Sequence, residues 1–185
     1  MKIATEMKML PRVLVVTNDS TVFLVQNRIA TAFELFGGRM TEVKKLVARI
    51  DTAKKDDGSK LCDLSFGVIS TKYGFVPGNY NIMSYPDVMS DRKGYEECEQ
   101  RTEFVERTSF ITRAFDTVIL CVPKDMFAMF LEADGIGDGK VIAVTSEDFK
   151  KECEKRNWTW LERKGARIGD DNADRIIELV RERCA

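Results

Sequence analysis

Between residues 64 and 87 the chain reads LSFGVISTKYGFVPGNYNIMSYPD, an apolar strand that runs straight into Lys72, Tyr73, Gly74, Pro77 and then Tyr85-Pro86-Asp87. An ammonium, phenols, the hydroxyls of Ser70 and Thr71 and a carboxylate at one strand end form a mixed set of donors and acceptors. Such a set suits a small anionic or heterocyclic ligand. Two other strand ends carry comparable groups: Asn18-Asp19-Ser20 after residues 12–17, and Cys121-Val122-Pro123-Lys124 after residues 117–120. In an open α/β sheet, ligands bind outside the carboxyl ends of the strands, where loops converge and helix N-termini present free N–H groups. The candidate ligand-binding residues are therefore Asn18, Asp19, Ser20, Ser70, Lys72, Tyr73, Gly74, Tyr85 and Asp87, with Gly169 ahead of the last helix as a seat for phosphate. Each also has a plain structural role. In those roles Gly74 and Gly78 would supply positive φ, Pro77 would fix a turn, Asp19 or Ser20 would cap a helix, Lys72 would be solvated, and Tyr73 would pack its ring with the hydroxyl exposed.

The chain has no histidine. That removes Ser-His-Asp and Cys-His catalysis and every histidine-based zinc site, and no catalytic residue is singled out. A metal would have to be a hard ion on carboxylates, and the clustered pairs Asp56-Asp57 and Asp170-Asp171 read as turn and helix-end residues, so no metal site is assigned. Cysteines 62, 98, 121, 153 and 184 are scattered and odd in number, as reduced thiols are, with Cys62, Cys98 and Cys121 as core residues. No GxGxxG follows the first strand and no Walker A sequence occurs, so neither a dinucleotide cofactor nor triphosphate hydrolysis is indicated. No motif specifies another cofactor or an oligomeric state.

A chain of 185 residues, 44% hydrophobic and without an abrupt change of composition, is read as one domain spanning 1–185. Its 29 basic and 30 acidic residues leave a net charge of −1, which sets up no global field toward nucleic acid or an anionic membrane. No apolar run approaches the roughly 20 residues that span a bilayer, and residues 1–11 lack the apolar core of a signal peptide. A soluble, cytoplasmic protein without a membrane partner is expected. Arg163, Lys164 and Arg167 with Trp158 and Trp160 nearby form the one basic and aromatic cluster suited to nucleic acid, and so small a footprint implies weak, salt-sensitive binding.

The elements that position these groups follow from periodicity. Apolar runs over residues 13–16, 66–69, 118–122 and 141–144 read as buried strands of the parallel type, within strands 12–17, 61–70, 117–122 and 141–145. Residues 158–161 read as a short edge strand. Helical spacing predicts helices over 21–36, 41–55, 91–114, 124–131, 146–155 and 170–183. The first is placed on Val22, Val25, Ile29, Ala32, Phe33 and Phe36, with Asp19 or Ser20 as its cap and Gly37-Gly38 as its stop. The third carries Tyr95, Cys98, Thr102, Val105 and Ser109 on its apolar face. Alternating strands and helices imply an α/β three-layer sandwich with a mostly parallel central sheet and helices on both faces, Rossmann-like in kind.

The order Ile69-Ser70-Thr71-Lys72-Tyr73-Gly74-Phe75-Val76-Pro77, then Ile82, then Tyr85-Pro86-Asp87, resembles the LSAKYGLL-P…I-PYD signature of the DUF6884 type, a family of small uncharacterised α/β proteins. More distantly it is similar to the YaaA peroxide-stress proteins. Residues 13–20, 118–123 and the Gly-x-x-Ile-Gly at 165–169 agree in order with that pattern, so the resemblance spans most of the chain. Two departures stand out: Asn18-Asp19-Ser20 replaces a Cys or Ser followed by a basic residue, and Cys121-Val122-Pro123 replaces a small glycine-containing turn. The resulting expectation is a protein that binds a small molecule, nucleotide or nucleobase at the carboxyl edge of the sheet, with enzymes of nucleotide or nucleic-acid base metabolism within that class. The alternative, which the YaaA likeness implies, is a non-enzymatic nucleic-acid-binding stress-response protein.

Overall fold

The computed structural model of the chain describes residues 9–164 and 167–185; the expectations for Gly165 and for residues 1–8 lie outside the described residues. In chain order the elements are β1 (Arg12–Asn18), β2 (Ala30–Thr31), α1 (Ala32–Leu35), α2 (Met40–Thr52), β3 (Asp63–Ser70), β4 (Gly74–Pro77), β5 (Asn81–Ile82), α3 (Arg92–Thr102) and α4 (Phe104–Thr112). They continue with β6 (Thr117–Cys121), α5 (Lys124–Ala133), β7 (Val141–Thr145), α6 (Lys150–Lys155), β8 (Thr159–Glu162) and α7 (Asp170–Cys184). Six strands form one sheet in the order β4-β3-β1-β6-β7-β8, with every pairing parallel except that of β3 with β4.

The continuous apolar runs follow from burial on both faces. Leu14, Val16, Val118, Leu120, Val141 and Ala143 face a core closed by Tyr95, Phe104, Phe127 and Phe130 of α3, α4 and α5. Their chain neighbours Val13, Val15, Ile119, Cys121, Ile142 and Val144 face the opposite core, closed by Val43, Leu46 and Ile50 of α2 and Ile176 and Val180 of α7. The period of two thus divides one strand between two helix layers, and the architecture is the expected three-layer, mostly parallel α/β sandwich of Rossmann-like kind. No helix among the described residues is long and apolar enough to cross a membrane.

Three local expectations give way to tertiary context. The helix over 21–36 shrinks to Ala32–Leu35, because residues 22–25 fold back on its end: Phe23 bridges Phe36, Leu24 N–H donates to the Leu35 carbonyl, and Gly37 N–H donates to that of Val22. Val22 and Ile29, two of the six residues on which that helix is placed, are consequently exposed, Ile29 at 66%, whereas Ala32 and Phe36 are buried. The cap is Thr31, in a reciprocal box with Glu34, and neither Asp19 nor Ser20 caps a helix. The helix over 91–114 breaks at Glu103, which is left-handed at φ 52°, and the Glu99 carboxylate accepts from Val105 N–H to start α4. The helix over 146–155 begins as a 3-10 turn at Glu147–Phe149 before α6. Within the loop after Ser70, β4 turns back along β3 and β5 pairs with β2. Above β3 the satellite core of Phe36, Met40, Val68, Val76, Ile82 and Tyr85 secures that loop.

Gly74 opens β4 at φ +75°, and a Cβ there would lie 2.8 Å from the Thr102 Cβ. Gly74→Ala is expected to lose about 2–3 kcal/mol, from left-handed strain together with the forced shift of Thr102. Urea titration reads this as a lower midpoint at unchanged slope. A loss under about 0.5 kcal/mol would show that the turn relaxes and that Gly74 is not held by geometry.

Candidate functional site

The strands β3, β1 and β6 are neighbours and parallel, so their carboxyl ends deliver residues 70–73, 18–20 and 121–124 to one edge. Strand order reverses between β1 and β6, since β3 lies on one side of β1 and β6, β7 and β8 lie on the other. Ligand crevices of open α/β sheets form at such reversals.

Asp19, the residue just past β1, is 1% exposed. Its Oδ2 accepts from Thr71 N–H at 2.7 Å, Thr71 Oγ1 at 2.8 Å and Tyr85 OH at 2.5 Å. With its proton given to Asp19, the Tyr85 oxygen accepts from Ser70 Oγ at 2.7 Å, and Ser70 Oγ accepts in turn from the N–H groups of Lys72 and Tyr73. This relay runs from the β3 turn through the phenol to one carboxyl oxygen. The other oxygen, Oδ1, is buried without a partner. Burial raises the Asp19 pKa against the lowering effect of Tyr85, Thr71 and Arg167, and the net direction is up. Burial, followed by the Asp19 charge, likewise raises the Tyr85 phenol, which stays a donor.

The β1 end is held from the other side by Arg167, which lies between β8 and α7. Its guanidinium donates to Thr17 Oγ1 at 2.6 Å, Asn18 O at 2.6 Å, Asn18 Oδ1 at 2.8 Å and Asp19 O at 2.6 Å. Arg163 Nη1 donates to the Val122 carbonyl at 3.2 Å on the β6 side. Burial, then the neighbouring Arg163 charge, lowers the Arg167 pKa to about 10, so it remains cationic at neutral pH. Burial also pushes the Cys121 thiol up to about 12 and raises that of Cys98, so neither is a thiolate nucleophile at neutral pH.

Of the sequence candidates, Asn18, Asp19, Ser70 and Tyr85 converge in this network. Ser20 Oγ accepts from Val22 N–H beside it, in a local turn. Tyr73 is 37% exposed and meets Tyr85 edge-on with ring centroids 5.6 Å apart, at the rim of the site. Lys72 is exposed, with its ammonium over the Tyr73 ring. Asp87 is exposed and takes no part. Gly74 serves the β3–β4 turn instead. Gly169, at φ +81°, is occupied: Glu42 Oε2 accepts from the N–H groups of Arg167, Ile168 and Gly169 at 3.2, 2.9 and 3.3 Å, so a side-chain carboxylate fills the place expected for phosphate. Burial alone would raise the Glu42 pKa, but these N–H groups bring it below the ordinary value.

The basic cluster is also corrected. Arg167 is 4% exposed, Trp158 is buried with Nε1 donating to Gly137 O, and Trp160 Nε1 donates to Ser146 O, so the cluster is not a surface footprint with free indoles. Sequence reasoning assigned Arg167 to nucleic acid and overlooked its role at the β1 end. A lone arginine before a helix carries no local sign of the carbonyls it will meet; the only cue was the Thr17-Asn18-Asp19 oxygen-rich strand end, which needs a donor once buried. Comparisons with protein-family models, curated proteins and solved structures return no match to this chain.

Proposed function

We propose that this protein binds a small heterocyclic ligand of the nucleobase or nucleotide class at the carboxyl edge of its sheet. The observation that carries the reading is the Asp19 carboxyl: Oδ2 is fixed by three donors, while Oδ1 is buried with no partner. A buried polar atom left unpaired costs about 1–3 kcal/mol, and a ring nitrogen of a ligand removes that cost by pairing with it. Oδ1 accepts from a ring N–H when the carboxyl is ionised and donates to a bare ring nitrogen when it is neutral. Tyr73 at the rim offers a ring face for stacking. The resemblance of residues 69–87 to the DUF6884 type supports the same segment as the site, since Ser70, Thr71 and Tyr85 supply the relay to Asp19. Five free, buried cysteines support a reducing, cytoplasmic setting.

Calorimetric titration of the four common ribonucleosides and their bases tests this. Binding of at least one is expected, and Asp19→Asn should weaken it about tenfold or more, the value of a hydrogen bond to a charged or strongly polar group. Absence of binding across the set, or equal affinity in Asp19→Asn, overturns the reading.

A further inference from the structure

At the amino ends of the strands, opposite the Asp19 site, two of the five free cysteines lie against each other. Cys62 stands immediately before β3 and Cys184 closes α7, and both are buried in the core that α2 and α7 close over the sheet. The Cys62 thiol donates a hydrogen bond to the Cys184 sulfur. Two clamps fix the last turn of α7 there. Arg181 Nη1 donates to the Lys54 carbonyl after α2 at 2.9 Å, and Arg183 donates to Lys140 O at 3.0 Å and to Thr159 Oγ1 at 2.9 Å, at the starts of β7 and β8. The other thiols are placed elsewhere: Cys98 Sγ donates to Ser70 O, Cys153 packs in the opposite core, and Cys121 ends β6. A solvent-open cavity of about 400 Å³ adjoins the pair, lined by Leu61 and Ala185, the chain neighbours of the two cysteines, with Lys55, Asp56, Asp57 and Arg181. The two sulfurs differ in character. The hydrogen bond from Cys62, helped by the charges of Lys55 and Arg183, holds the Cys184 thiol below its ordinary value against burial and Asp116, while the same bond and then burial raise Cys62. Cys184 is thus the sulfur that ionises first, and Cys62 is the one that keeps its proton.

We propose that Cys62 and Cys184 form an oxidisable dithiol, a modification site at which a small peroxide closes a disulfide between the start of β3 and the end of α7. The direct contact of the two sulfurs beside a solvent-open cavity carries the inference, and their burial selects a small oxidant. In the first step the Cys184 thiolate attacks one oxygen of hydrogen peroxide: a sulfur–oxygen bond forms, the oxygen–oxygen bond breaks, and the leaving hydroxide takes up a proton as water. In the second the Cys62 sulfur, giving up its proton, attacks the sulfur of the sulfenic acid; the disulfide forms and the hydroxyl leaves with that proton as a second water. The two thiols lose two electrons together, and the peroxide is reduced to two waters. An external dithiol reverses the bond by exchange. The bond closes a loop that holds most of the chain, so it constrains the unfolded state and fastens α7 to the sheet. The dithiol is independent of the ligand reading, whose site lies at the other ends of the strands.

The test treats the reduced full chain with a small excess of hydrogen peroxide, blocks the remaining thiols with an alkylating agent under unfolding conditions, and reads the digested chain by mass spectrometry. A disulfide between Cys62 and Cys184 should be the first product, two hydrogens lighter than the reduced pair and reversed by dithiothreitol, with Cys98, Cys121 and Cys153 still alkylated. The oxidised chain should melt several degrees higher than the reduced one, because the closed loop is long. Cys62→Ala should stop at a sulfenic acid on Cys184, captured by dimedone, whereas Cys184→Ala should leave Cys62 open to alkylation after peroxide. Oxidation that links another pair, joins two chains, or consumes Cys98, Cys121 and Cys153 as fast as these two overturns the proposal. So does a bond between Cys62 and Cys184 that forms only in denaturant, or no bond at all in a large excess of peroxide. The linkage is read on the unmodified protein, so the result stands even where a variant does not fold.

Discussion

Replacing Arg167 by methionine is expected to destabilise the protein by about 3–5 kcal/mol, the range for removing one side of a buried charged network. Methionine fills much of the volume, so the loss reports the polar atoms left behind: Thr17 Oγ1, Asn18 O, Asn18 Oδ1 and Asp19 O all lose their donor together. Relief of the buried charge offsets part of this, which keeps the total below the sum of the separate bonds. For a chain of this size the melting temperature should fall by roughly 10 °C. Arg167→Lys should recover little, since a single ammonium cannot reach four oxygens spread over three residues. A change under about 1 kcal/mol in Arg167→Met would show that water replaces the guanidinium and that the β1 end does not depend on it.

The Asp19 carboxyl should impose a pH dependence of opposite sign to that of a surface salt bridge. Its folded pKa is raised, chiefly by burial, above the ordinary 3.8. The folded state therefore binds more protons than the unfolded state over the interval between the two values, and stability falls as pH rises through it. Below the unfolded value the penalty is absent; above the folded value it is complete and constant. Asp19→Asn cannot ionise, so the difference in unfolding free energy between the parent and Asp19→Asn should move against the parent as pH is raised from about 4. Asp19→Ala should cost about 2–4 kcal/mol at low pH as well, because Thr71 N–H and Tyr85 OH lose their acceptor inside the structure. Denaturant titrations at a series of pH values check both statements. A parent that gains on Asp19→Asn with rising pH would mean the hydrogen bonds outweigh burial and Asp19 is held as a stabilised carboxylate.

Much of the architecture was legible in the sequence because it depends on short-range pattern. Val13 to Val16, Val118 to Leu120 and Val141 to Val144 are apolar at every position, and only a strand covered on both faces tolerates that. The meeting of Asn18 and Asp19 with Ser70 followed as well, since parallel neighbours bring equivalent ends to one edge, whereas Tyr85 reaches them from the loop after β5. The helix over 21–36 was not legible. Its apolar spacing satisfied a period of 3.6, but Phe23 pairing with Phe36 across a backbone bridge offered a competing partner that lies outside any local window. At Glu103 the break is local: the Glu99 carboxylate takes the Val105 N–H that a continuous helix would have used internally.

What the sequence by itself determined is the order of layers, the edge at which polar groups collect, and the catalytic classes that a chain without histidine lacks. What only the tertiary structure decided is the state of those groups. Asp19 reads as a helix cap until Thr71 and Tyr85, 52 and 66 residues away, are seen to claim its Oδ2. Arg167 reads as a surface charge until it is found under the β1 end, and the phosphate seat at Gly169 reads as vacant until Glu42 is found across from it. Hydrophobic period is written along the chain because each residue repeats it. The partner of a buried charge is a single contact between distant residues, and it is set only when the layers close and water is no longer the alternative.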